Sequence, residues 1–146
     1  MSKSIKSESY QVIWLIRRLF RALGQKSNEN LAQFGISVAD RAVMEFLYPD
    51  RILSVPEIAG QYQVSRQHIQ ATVNSLLDAG LVTTKDNPRH KRSLLILLNP
   101  KGRELFAEIL QKDEEIIEVL FSRISKSSIQ VTQQTLQSLL NEVSRG

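Results

Sequence analysis

A mainly α chain carrying one small β-hairpin is the fold that three features of the sequence predict. Apolar residues recur at intervals of three and four over most of the length, and the period changes only between residues 81 and 98. Glycines, prolines and short polar runs then punctuate the helical stretches. At 146 residues and 42% hydrophobic content, the chain fits a single domain of about 150 residues with a real core.

The first helix is expected from Tyr10 to Leu23, where Val12, Ile13, Leu15, Ile16, Leu19, Phe20 and Leu23 fall at helical spacing. Gly24 and the polar stretch to Asn30 weaken it, with resumption through Leu31 and Phe34 before Gly35 ends it. Ser37 and Asp40 form a capping-box pattern for a second helix, Val38 to about Tyr48, stopped by Pro49 and Asp50. Leu53 to Val55 reads as a short extended piece. Pro56 suits the first turn of a third helix running to about Tyr62.

Ser65 caps a fourth helix that Gly80 terminates. Leu81 to Lys85 and Arg92 to Leu98 are rich in Leu, Val, Thr and Ile, so they predict a hairpin around the polar tip 86–91. Asn99 and Pro100 start a fifth helix of about 25 residues, roughly 38 Å long. Its stripe is Leu105, Ile109, Ile116, Leu120 and Ile124. A last helix carries Ile129, Leu136, Leu139, Leu140 and Val143.

The absence of cysteine excludes disulfides, thiolate metal sites and thiol redox chemistry. The apolar run Val12–Ile16 is too short for a secretory signal and is followed at once by Arg17 and Arg18. The charge-free stretch between Lys126 and Glu142 is too polar to cross about 30 Å of hydrocarbon. A soluble, cytoplasmic protein with no membrane partner is expected. Net charge is +4, and it alternates: residues 1–26 and 61–103 are basic, 27–60 and 104–118 acidic. Such alternation suits a folded chain with one basic working surface facing an anionic partner.

The third and fourth helices, joined by about three residues at Gln63-Val64-Ser65, have helix-turn-helix spacing, with small Ala59 where the helices cross. Gln63 stands where a left-handed glycine is common. On the fourth helix, steps of 100° put Ile69, Val73, Leu76 and Leu77 inward. Gln67, His68, Ala71, Asn74, Ser75 and Asp78 then face outward. Asn and Gln can pair with adenine, His can donate to guanine acceptors, and Ala can lie against a thymine methyl. A solvated helix face is the competing reading, although one with so little charge is unusual. Arg89, Lys91 and Arg92 crowd the hairpin tip beside His90, as a cationic finger for phosphates or a minor groove would require.

Several strings in this region, Pro56-Glu57-Ile58-Ala59, Val64-Ser65, Leu76-Leu77-Asp78-Ala79-Gly80-Leu81-Val82, Asn87 to Ser93, and Leu98-Asn99-Pro100-Lys101-Gly102, resemble those of the MarR family of winged helix-turn-helix transcriptional regulators. The resemblance implies a mainly α winged helix-turn-helix with a small β-hairpin wing and a helical dimerisation region built from the first, fifth and sixth helices. Segment 1–35 would serve dimerisation, 36–100 DNA binding and 101–146 dimerisation again. It places Arg92 at the wing arginine inserted toward DNA. Three departures stand out: His90 replaces an aspartate that braces the arginine, a role Asp86 could take; Ala71 replaces a frequent basic residue; Asn99 replaces a threonine.

These readings converge on a sequence-specific homodimer that binds double-stranded DNA, a repressor acting on a near-palindromic operator. The contact set is Ser65, Arg66, Gln67, His68, Gln70, Ala71 and Asn74 with Arg89, Lys91 and Arg92. A winged helix that binds another protein is the alternative. Catalysis is not expected, since the glycines are scattered and neither histidine has a carboxylate pair at useful spacing. No cofactor or metal is expected. The acidic run Asp113-Glu114-Glu115 with Glu118 reads as a solvated face, or as the cross-dimer partner of Arg17, Arg18 and Arg21. The resemblance also suggests a small aromatic or anionic effector, for which Trp14, Phe46 and Tyr48 are candidate lining residues. Near phosphates, the His90 imidazole can gain a proton as pH falls toward about 6.5.

Overall fold

The structure, a computed structural model, describes residues 7–145. Its order is α1 (Glu8–Ala32), α2 (Val38–Leu47), β1 (Leu53–Ser54), α3 (Val55–Tyr62), α4 (Arg66–Asp78), β2 (Val82–Lys85), β3 (Leu95–Leu98), α5 (Pro100–Phe121) and α6 (Lys126–Arg145). The expected mainly α winged helix is therefore present. Contacts divide the chain into two compact units, one up to Ile109 and one from Leu110, a division that falls within α5.

In the first unit, α1 runs through Gly24 without a break and buries only Leu31. The capping box of α2 is formed: Ser37 N donates to Asp40 Oδ2 at 3.1 Å and Asp40 N to Ser37 Oγ at 3.0 Å. Ser54 and Glu57 make a second box at the start of α3, which fixes where Pro56 enters the helix. The three helices after α1 close over Val43, Met44, Leu47, Ile58, Ile69, Val73 and Leu76, all nearly inaccessible to water. Burial of these side chains gives about 1.5–3 kcal/mol each and outweighs any local preference along the chain.

The short extended piece expected at 53–55 is β1, and it joins the hairpin as a third strand. β3 pairs antiparallel with β2 on one side and with β1 on the other, matching Leu53 to Ile96 and Ser54 to Leu95. Pairing β1 across more than forty residues leaves no local periodic signal. β3 also begins at Leu95 rather than Arg92 because turns consume the residues before it, with His90 N donating to Asn87 O and Ser93 N to His90 O.

Asn99 ties the end of α4 to the start of α5. Its Nδ2 donates to Gly80 O at 2.8 Å, and its Oδ1 accepts from Gly102 N at 2.7 Å. Gly102 lies so close to the Leu81 carbonyl that a Cβ there would overlap it. In the second unit, α5 ends at Phe121, three residues before the expected Ile124. There Ser122 and Ile124 turn the chain and Ser125 Oγ caps α6 by accepting from Ser128 N. No helix among the described residues is long and apolar enough to cross a membrane.

Candidate nucleic-acid interface

The turn between α3 and α4 solves the missing glycine directly: Gln63 itself adopts the left-handed conformation, φ 61° and ψ 45°. Its N–H and that of Val64 both donate to Ala59 O. Ser65 then caps α4, its Oγ accepting from His68 N at 3.0 Å. The cap fixes the direction of the first turn, where the helix dipole is positive and attractive to anions.

Ile69, Thr72, Val73 and Leu76 form the buried side of α4. The sequence placed Leu77 inward, and here the structure corrects it. Leu77 is 39% exposed, whereas Thr72 is 6% exposed. Thr72 can occupy the inward position because its hydroxyl donates to His68 O at 3.0 Å, so its own polar atom keeps a partner when buried.

The opposite side carries Arg66, Gln67, His68, Gln70, Ala71 and Asn74, all exposed. Gln70 Nε2 donates to Asn74 Oδ1 at 3.0 Å, one helical turn apart. Asp78 shares this side in the last turn, so an anion approaching α4 is favoured at its N-terminal two turns and repelled beyond them.

The tip of the hairpin, residues 86–94, leans over the beginning of α4. A cleft of about 400 Å³ is lined by Arg66, Gln67 and Gln70 from α4 and by Arg92, Ser93 and Leu94 from the tip. A second, of about 500 Å³, joins Arg66 to Asn87, Arg89 and His90, with Glu57 on its wall. Pro56, Arg66 and Ser93 line both clefts. Sequence spacing did not single out Pro56 or Ser93; Pro56 reads only as a helix starter, and their meeting depends on the sheet register. Lys91 is exposed on the same tip.

Arg89 N donates to Asn87 Oδ1 at 3.1 Å, which orders the tip from within. Asp86 does not brace Arg92: among the described residues no ion pair joins them, and Arg92 projects freely. This arrangement presents hydrogen-bonding amides on a rigid helix beside unneutralised guanidinium groups. It can read base edges and hold phosphates.

The three candidate effector residues do not share one wall. Trp14 lies under the Arg18 guanidinium, 4.8 Å from its ring centroid. Phe46 packs edge-on against Tyr62 at 5.5 Å, and Tyr48 tilts against Phe106 at 5.2 Å.

Residues 34–93 match the model of the MarR family. Over 91 residues the chain is 30% identical to an uncharacterized protein of Mycobacterium tuberculosis, covering 62% of this chain and 64% of that one, so it spans less than two thirds of that relative's length. An uncharacterized HTH-type transcriptional regulator of Bacillus subtilis, YsmB, is 22% identical over 130 residues, 89% of each chain. Among solved structures, the transcriptional regulator BldR from Sulfolobus solfataricus has a similar fold, with TM-score 0.80, 22% identity and complete coverage of both chains.

Proposed function

We propose, from the match of residues 34–93 to the MarR family model, that this chain is a sequence-specific, dimeric DNA-binding transcriptional regulator, a repressor that acts on a near-palindromic operator in the cytoplasm. MarR proteins are transcription regulators rather than enzymes, and in this reading the chain acts by binding alone. The observation that carries the reading is the shared cleft: Gln67 and Gln70 of α4 face the same opening as Arg92 of the tip. In this reading Ser65, Arg66, Gln67, His68, Gln70, Ala71 and Asn74 meet the major groove. Arg89, Lys91 and Arg92 hold phosphates or enter the adjacent minor groove.

Segments 1–35 and 101–146 would form the dimerisation region, with 36–100 between them. The apolar side chains that support this are Tyr10, Trp14, Leu15, Leu19 and Phe20 on α1, and Val131, Leu136, Leu140 and Val143 on α6, all exposed in the single chain. Exposed apolar patches of this extent normally mark an interface. The first six residues of segment 1–35, including Lys3 and Lys6, lie outside the described residues. A two-fold dimer would set its two α4 helices about 34 Å apart, matching half-sites one helical turn from each other. Release by a small aromatic or anionic effector completes the proposal. Phe46 supports it most, because it lines a cleft of about 370 Å³ with Glu45, Arg51 and Tyr62.

A mobility shift against duplex genomic fragments at modest salt tests the function. Retention of a subset of fragments sharing an inverted repeat is expected. No retention of any duplex, with capture of a protein partner instead, would favour an interaction module.

A further inference from the structure

We infer that an arginine stripe on α1 meets a glutamate stripe on α5 of a second copy of this chain, and that this contact decides which chains can pair. The inference rests on the proposed dimer and specifies what selects the partner.

Arg17, Arg18 and Arg21 on α1 and Glu114, Glu115 and Glu118 on α5 repeat one spacing, i, i+1 and i+4, in opposite charge. Each trio fills a single arc of about 100° and spans about 6 Å along its helix, so the two patches match in width and length. All six side chains are exposed, and none makes an ion pair among the described residues. Asp113, next to the acidic trio, is set apart, being half-buried and already provided with a partner of its own.

Each patch is unfavourable alone. Positions 17 and 21, like 114 and 118, put equal charges one helical turn apart, and 18 with 21 or 115 with 118 does the same at i, i+3. On α1 no acidic residue lies three or four positions from any of the three arginines. On α5 only Lys112 is so placed, three residues before Glu115. The counter-charge that each patch lacks is the one the other presents.

The Arg18 guanidinium rests over the Trp14 ring, 4.8 Å from its centroid. Stacking uses the guanidinium face and leaves its in-plane N–H groups for carboxylates, and it holds a long side chain that would otherwise lose entropy on pairing. Exposed Leu19 and Phe20 interleave with the first patch, Ile117 and Leu120 with the second. Charged flanks beside an apolar seam are what set partner choice between paired helices. By two-fold symmetry the contact is made twice. Exposed ion pairs add little affinity, so their main effect is to reject a chain that brings like charge to like.

Two charge variants of the full chain test this by mixing. One carries Arg17→Glu, Arg18→Glu and Arg21→Glu; the other carries Glu114→Lys, Glu115→Lys and Glu118→Lys. Each variant alone faces like charge at both contacts, whereas a mixed pair meets opposite charge at both. Analytical ultracentrifugation is expected to show each variant self-associating about 10- to 100-fold more weakly than the unmodified protein, and an equimolar mixture recovering a dimer. A chain with all six changes should pair with itself and exclude the unmodified chain. Circular dichroism reads whether each variant folds, and recovery on mixing is independent of that measurement. Self-association of either variant at the unmodified strength would overturn the inference. So would weakened variants that mixing does not recover, even if the six-change chain pairs, because the stripes would then act within one chain. An unmodified protein that stays monomeric would overturn the proposed dimer along with this inference, and that outcome is read before any variant is made.

Discussion

The inward side of α4 is locked into the core through Ile69, Thr72, Val73 and Leu76, whereas the tip at 86–94 rests on its own turns around Asn87 and His90. Its cations carry no ion pair among the described residues. The contrast in support matches a contrast in task. Hydrogen bonds to base edges tolerate little displacement, so the side chains that make them need a backbone held by buried packing. Phosphates present charge all along the duplex, and a loosely braced guanidinium can find them from many positions.

The largest effect should come from removing support under α4. Ile69→Ala is expected to cost about 2–5 kcal/mol of stability, seen as a lower denaturation midpoint. It should also blunt sequence discrimination before non-specific affinity is lost. A stability change under about 1 kcal/mol would mean that α4 is not held as described.

Arg92→Ala sharpens the other half of the comparison. Binding should weaken by a similar factor on every duplex, and the slope of log affinity against log salt should flatten by about one unit. An unchanged slope would remove Arg92 from the phosphates.

Gln63→Gly probes the turn that aims α4. A left-handed non-glycine residue costs roughly 1–2 kcal/mol, so the substitution should raise stability by up to about that amount, partly offset by the unfolded chain's greater freedom. Thermal denaturation reads this, and a loss of stability would contradict the local account. The smallest effect belongs to His90, which lines the cleft with Arg66, Arg89 and Glu57. His90→Gln should weaken duplex binding by less than Arg92→Ala does, and a loss as large as that of Arg92→Ala would contradict this ranking.

Much of the helical order was legible because caps and periods are local. Ser37 with Asp40, Ser65, and Asn99 each act where their side chains and spacing place them. What was illegible depended on distant partners. The two-residue β1 was readable as an extended piece, but its pairing with β3 was not. Thr72 takes an inward place because His68 O lies within its reach, while Leu77, on the margin of the stripe, stays exposed. The Ser54–Glu57 box did have a local signal, a serine three residues before a glutamate, overshadowed by Pro56 between them. The outward line of the site was readable from 100° steps along α4. Its meeting with Arg92 and Ser93 required the register of β2 and β3.

Amide and side-chain NMR shifts of the labelled protein, followed as a duplex carrying the shared inverted repeat is added, test the central claim most directly. The account predicts that changes concentrate in Ser65 to Asn74 and Arg89 to Arg92, with Val43, Met44 and Ile58 unmoved. Changes confined to α1 or α6, or none at all on saturating DNA, would contradict it.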